Sequence, residues 1–258
     1  MRRLLAITAG LGLLSTAAYA DFIDITPYAG YTTVNLGQVK RGLDQLGGID
    51  LLEVQQGGPG TSLTDTQITG AWIVGGDLLS DRITPMRRLS LGLRSEYLAT
   101  NRAEESFFES NGKSWSVREN GTLSSLLLGA RYQLPGANHG LSVSVGAFAG
   151  LGYATIEQDW SENTFSVNNQ NNGLYQGEGF VGDLDFRLDW AIPGARWLHL
   201  DAQAGYRYAS LGDLGSHGKP LVNPENLLSS SAGIKTQNNA EPADFGGFSA
   251  GGGFSVKF

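Results

Sequence analysis

Between residues 183 and 189 every second position carries a charge: Asp183, Asp185, Arg187 and Asp189. His199 and Asp201 repeat that spacing, and so do Arg94 and Glu96 earlier in the chain. In a strand, residues two apart share a face. Three chemistries use such groups. Calcium loops need an Asp, Asn or Ser at the third of these positions, then a glycine and a terminal glutamate. Arg187 occupies that third position, so calcium is rejected and no metal is expected. A catalytic His–Asp pair needs a nucleophile and an oxyanion site. No residue pattern here supplies either, so no catalytic residue is assigned and His199 reads as structural. The third chemistry is ion pairing. Arg94, Arg131, Arg187, Arg207 and Lys257 match Glu96, Asp183, Asp185, Asp189 and Asp201 in number. Enclosed together, such groups must be paired or solvated. The set is either an internal network that plugs and stabilises, or a polar path for ions or small solutes.

The elements that would position these charges are strands. From Phe180 to Trp190 the even positions are apolar or glycine, while the odd positions are Val181, Asp183, Asp185, Arg187 and Asp189. That period of two is the strand signature. It recurs at about 22–34, 67–79, 88–100, 122–134, 141–156, 197–209 and 245–258, predicting eight strands. Arg94 and Glu96 fall opposite Leu89, Leu91, Leu93 and Tyr97, and Arg131 falls opposite Leu126, Leu128 and Tyr132. His199, Asp201 and Arg207 fall opposite Leu198, Leu200, Tyr206 and Tyr208, and Lys257 opposite Phe254 and Val256.

Short proline-containing links at 80–87, 135–140 and 191–196 alternate with long polar connections at 35–66, 101–121, 157–177 and 210–244. Proline favours turns and cannot donate to a ladder. Long-short alternation is the pattern of a membrane barrel with external loops and periplasmic turns. The expected fold is all-β: a closed antiparallel transmembrane barrel of eight strands, with four long external loops and three short periplasmic turns. In the alternative the long loops extend as strands above the membrane, and a further hairpin within 210–244 would make ten.

Alternation alone leaves open which face is inside. A lipocalin-type barrel keeps its apolar face inward. The aromatics decide for the inverse. Tyr31, Tyr97, Tyr153, Tyr206 and Tyr208 lie toward the outer ends of their segments, as do Trp72, Phe180 and Phe248, while Tyr132, Trp190 and Phe258 lie at inner ends. Two girdles at two interfaces suit amphipathic rings in a bilayer. The opposite face is rich in small residues, including Ser142, Ser144, Gly146, Gly150, Gly251 and Gly253, which fit a narrow eight-stranded interior.

Composition agrees. The chain has 37 glycines, no cysteine and 17% charged residues. Disulfide, zinc-thiolate and cysteine-nucleophile chemistry are therefore excluded. Met1-Arg2-Arg3, the apolar run Leu4–Leu14 and Ala18-Tyr19-Ala20 read as a signal peptide over residues 1–20, leaving 21–258 as one barrel domain. Without Arg2 and Arg3, 16 Lys+Arg face 25 Asp+Glu, a net of −9. Nucleic-acid binding needs clustered cations, so it is not expected.

The last segment, Phe254-Ser255-Val256-Lys257-Phe258, resembles the insertion signal of bacterial outer-membrane barrels. As a pattern, the whole of 21–258 resembles the small class that includes the OmpA transmembrane domain, OmpX, OmpW and opacity-like proteins. The resemblance implies passage through the periplasm, insertion by the barrel assembly machinery, and outer-membrane lipid and lipopolysaccharide as neighbours. It implies no cofactor. Three functions follow as expectations: a non-enzymatic structural or surface-interaction barrel, a narrow porin-like channel, and a lipid-modifying enzyme. The last lacks an outward-facing histidine, since His139 and His217 fall in a turn and a loop. Helix-like spacing of Leu36, Val39, Leu43, Leu46, Ile49 and Leu52 marks a mouth-capping or leaflet segment, weakened by Gly42, Gly47 and Gly48. The loop aromatics Phe107, Phe108, Trp115, Trp160, Phe165 and Tyr175 are partner anchors or loop packing, and Asn168–Asn172 is a solvated tip.

Overall fold

The computed structural model describes residues 23–34, 62–66, 69–80, 88–108, 114–136, 140–164, 167–211, 215–216 and 245–257. The signal segment 1–20, the helix-like spacing at 36–52, His139, Phe165, His217 and Phe258 lie outside these residues. No helix among the described residues is long and apolar enough to cross a membrane, which bears only on helices.

The described residues form eleven strands: β1 (Ile23–Thr33), β2 (Ser62–Thr66), β3 (Gly70–Ser80), β4 (Leu89–Thr100), β5 (Ala103–Phe108), β6 (Ser114–Gln133), β7 (Leu141–Thr164), β8 (Val167–Ile192), β9 (Ala195–Leu211), β10 (Gly215–Ser216) and β11 (Gly247–Lys257). Eight of them make a ring, β1–β3–β4–β6–β7–β8–β9–β11, every pair antiparallel, and β11 returns to β1. Closure removes free edges from the ring, satisfying backbone donors and acceptors around it. The remaining three are short additions. β5 folds back on β6, β2 pairs with β5, and β10 pairs with β8.

Strand enters all four expected loops, with β2 inside 35–66 and β10 inside 210–244. Residues 103–108 and 114–121 form the β5–β6 hairpin, and β7 and β8 run on to meet at Thr164↔Val167. Segments 101–121 and 157–177 are therefore largely strand. Their apolar residues are few and do not hold one face over a full strand length, which hid them from a pattern built on one apolar face. The tip Asn168–Asn172 is ladder too, with Asn172 opposite Asp159. Phe107 lies opposite Trp115 and Trp160 opposite Asn171, so these loop aromatics sit on strands.

The short links stay short. Ile192 and Ala195 flank Pro193-Gly194, and Gly194 has φ +89°. Proline pre-sets the first turn position and glycine alone takes positive φ cheaply at the second. The register shifts at Ala191/Ile192, so residues 196–198 of β9 have no register partner on β8, and Trp197 among them is exposed.

The described side chains sort inside out. Trp72, Val74, Leu126, Leu128, Leu151, Leu184, Phe186 and Phe248 face outward and are exposed, whereas Arg94, Asp183, Arg187 and Arg207 are buried inside. The interior has two layers, which alternation did not anticipate. Near the end where the strands extend, Val34, Ala71, Leu98, Leu123, Ala154, Ile156, Val181, Ala209, Leu211 and Phe245 form an apolar cap. Below it lie the charges.

Candidate functional site

The charged layer is built around Asp77 on β3. Arg94 on β4 reaches it with Nε at 2.7 Å from Oδ1 and Nη2 at 3.0 Å from Oδ2. Arg131 on β6 donates to Oδ2 at 3.1 Å, and Arg187 on β8 does so at 2.5 Å. Three guanidinium groups thus converge on one buried carboxylate. Strand alternation delivers each from a different direction, because every second residue of every strand points inward.

A second ring of acids shares the same arginines. Arg94 Nη1 lies 2.9 Å from Asp183 Oδ2, and its Nη2 lies 2.6 Å from Asp185 Oδ2. Arg131 Nη1 lies 3.0 Å from Asp185 Oδ1 and donates to Ser144 Oγ at 3.3 Å. Arg207 on β9 pairs with Glu96, and its Nη2 stands 3.6 Å from Asp183. Glu96 also accepts from the Tyr28 hydroxyl at 2.5 Å and from Ser125 at 3.5 Å. Arg187 donates to Gln203 Oε1 at 3.1 Å and lies 3.5 Å from Asp201. Aromatic faces fill the remaining room: the Arg94 guanidinium stacks 4.0 Å from the Phe148 ring centre and 5.5 Å from that of Tyr28.

Toward the end holding the Pro193-Gly194 turn, a smaller cluster forms on Asp189. His199 Nδ1 pairs with its Oδ1, Lys257 Nζ lies 3.3 Å from Oδ2, and Ser255 donates to Oδ2 at 3.5 Å. Here the serine hydroxyl addresses the carboxylate, so this histidine, serine and aspartate do not form a nucleophile relay.

Of the charged residues named from sequence for the interior, Arg94, Glu96, Arg131, Asp183, Asp185, Arg187, Asp189, His199, Asp201 and Arg207 meet in this network, and Lys257 joins it with its side chain 34% exposed. Asp77, the centre of the cluster, was not among them. Its strand reads Ala71-Trp72-Ile73-Val74, apolar on both faces, because the cap occupies the inward side there. Parity with Ile73 and Leu79, both buried, was the signal that points Asp77 inward. With Asp77 the acids of the set outnumber the bases by one, which corrects the expected balance.

The outer wall carries the aromatics. Tyr31, Trp72, Tyr97, Tyr132, Tyr153, Phe180, Trp190, Tyr206, Tyr208 and Phe248 are all exposed. Neighbouring strands bring several rings together. Tyr31 and Trp72 have ring centres 5.4 Å apart, Tyr206 and Phe248 5.1 Å, and Phe180 and Tyr208 6.3 Å.

Between the cap and the charges a cavity remains, bounded by Tyr28, Gly30, Arg94, Glu96, Gln203 and Ser249. It has room for about one water molecule. This chain is a closed eight-stranded barrel with a filled interior. Among the described residues, no group of three or more His, Asp or Glu is placed to hold a metal ion.

No family model matches the barrel, and no curated protein matches it. Solved structures do. The attachment invasion locus protein Ail of Yersinia pestis, solved with the heparin analogue sucrose octasulfate, is 9% identical with a TM-score of 0.35, over 91% of this chain and 99% of that one. Neisserial surface protein A is 11% identical with a TM-score of 0.33, over 93% and 98%. The translocator domain of the autotransporter NalP from Neisseria meningitidis is 13% identical with a TM-score of 0.27, over 100% and 97%. None of these superpositions is close, and the barrel is established by the chain's own ladder.

Proposed function

We propose that this chain is a non-enzymatic bacterial outer-membrane barrel whose interior is closed and whose role is structural or surface contact. The carrying observation is Asp77, held by three arginines beneath the apolar cap. Such packing supports a plug over a pore, since an ion would have to displace guanidinium groups and cross an apolar layer. A membrane setting is supported by the belt of exposed Leu, Val, Phe and Tyr running around the ring, far larger than a soluble monomer tolerates. Lipid and lipopolysaccharide are the contacts this reading implies, and the barrel assembly machinery is the route of insertion. The surface element would be the extension of β5–β8. Its exposed pairs Arg118–Glu104, at 3.0 Å, and Arg102–Asp159, at 4.0 Å, lie above the aromatic band.

Outer-membrane fractionation with cold SDS gels tests the setting. Two mobilities, folded and boiled, are expected; a soluble periplasmic protein with one band would overturn it. Planar bilayers test the plug. A silent barrel is expected, and steady single-channel conductance would replace the plug with the narrow-channel reading.

A further inference from the structure

The ring is not equally strong at every joint. Each residue of β1 from Ile23 to Thr33 has a register partner on β3, and β11 pairs with β9 without a break from Gly247 to Val256. On the joint between β1 and β11, the ladder runs Asp24↔Lys257, Ile25↔Val256, then skips to Tyr28↔Gly253. The skipped positions include Pro27, which has no N–H.

The direction of that missing donor follows from its neighbours. A Cβ added at Gly253 would lie 2.2 Å from the Pro27 carbonyl oxygen, and one at Gly251 would lie 2.5 Å from that of Ala29. The odd-numbered carbonyls of β1 therefore point at β11. In an antiparallel ladder the N–H and C=O of one residue face the same neighbour. The nitrogen of Pro27 thus faces β11, opposite Phe254, and the joint lacks that bond.

Two further features meet at the same height. Gly30, Gly251 and Gly253 leave the inner wall bare, and the interior cavity lies against it, bounded by Tyr28 and Gly30 of β1 and Ser249 and Ala250 of β11. Outside, Ala29 faces Gly252, both small, while Ala250 faces the larger Tyr31. The ends of the joint are tied. At one end Thr32 Oγ1 donates to the Phe248 carbonyl at 3.1 Å and Phe248 N donates to Thr33 Oγ1 at 2.9 Å, and at the other Asp24↔Lys257 and Ile25↔Val256 stay in register.

We propose that the middle of the β1–β11 joint, around Pro27 and Gly251–Gly253, is where the folded barrel opens, giving the cavity beside Arg94 and Glu96 a lateral path to the surrounding bilayer. The joint breathes between two fixed ends, and the rest of the ring stays paired.

Amide hydrogen exchange of the whole chain in micelles tests this on one strand. The amides of Gly252 and Phe254 face β1, whereas those of Gly251 and Gly253 face β9. The first pair is expected to exchange roughly threefold to tenfold faster, the factor that one missing hydrogen bond supplies. Pro27→Ala, which restores the donor, is expected to remove most of the difference. Because the chain has no cysteine, an introduced pair is unambiguous. Ala29→Cys with Gly252→Cys should slow heat-driven loss of the folded gel band more than Ala204→Cys with Ala250→Cys on the β9 side. Equal exchange of the two amide sets, or equal protection by both cross-links, would overturn the proposal.

Discussion

Asp77 on β3 and Arg187 on β8 meet at 2.5 Å although 110 residues separate them. Counting around the ring, β3 and β8 are four strands apart, so the pair spans the barrel from wall to wall. The walls are tied by charge through the centre as well as by hydrogen bonds around the rim.

Asp77→Asn leaves three buried arginines short of their shared partner. Removing one side of a buried ion pair costs about 3–5 kcal/mol. Urea unfolding in lipid vesicles should show a loss of that order. A loss under about 0.5 kcal/mol, the ordinary surface value, would mean the interior is wet enough to solvate the arginines.

Glu96 joins two partners from different strands, Tyr28 and Arg207. Tyr28→Phe deletes a donor to a charged acceptor, and a loss of about 1.5–3 kcal/mol is expected. Combined with Glu96→Gln, the effects should fail to add by about 0.5–3 kcal/mol. Additive losses would show the two residues acting independently.

Leu127 is buried inside and its neighbour Leu128 is exposed outside. In a bilayer, Leu128→Arg is expected to cost about 2–4 kcal/mol at mid-depth. On a water-facing wall the same change would be near neutral. Vesicle folding titrations of this one variant therefore report which solvent the wall meets.

Phe245 belongs to the apolar cap and is fully buried. Phe245→Ala is expected to destabilise by about 3–5 kcal/mol through the cavity it leaves. Planar-bilayer recordings of this variant should stay silent, because the charged layer below remains in place. Conductance appearing on this change alone would make the cap the sole closure.

Legibility in the sequence followed the contrast between faces. Phe180–Trp190, apolar on one side and charged on the other, places β8 and four of its interior charges at once. Contrast vanishes in two places. Beyond the aromatic band Glu157–Thr164 carries a single apolar residue, Trp160, so it shows no apolar period and its strand is invisible. At the cap the interior is apolar too, so Ala71–Val74 shows no polar period and Asp77 is masked. His199 was placed by parity with Asp201, but its partner Asp189 lies on the neighbouring strand, set by a register that a bulge at Ala191/Ile192 shifts.

The cap also determines how the barrel responds to dissolved salt. Counterions weaken an ion pair only where they can approach it, within about 8–10 Å at ordinary ionic strength. Asp77 and its arginines lie under an apolar lid on one side, with Lys257 and His199 guarding the other. Raising the ionic strength should therefore loosen the exposed Arg118–Glu104 pair while leaving the central cluster unmoved. Electrostatics of this barrel divide into a screened exterior and an interior that the composition of the medium does not reach.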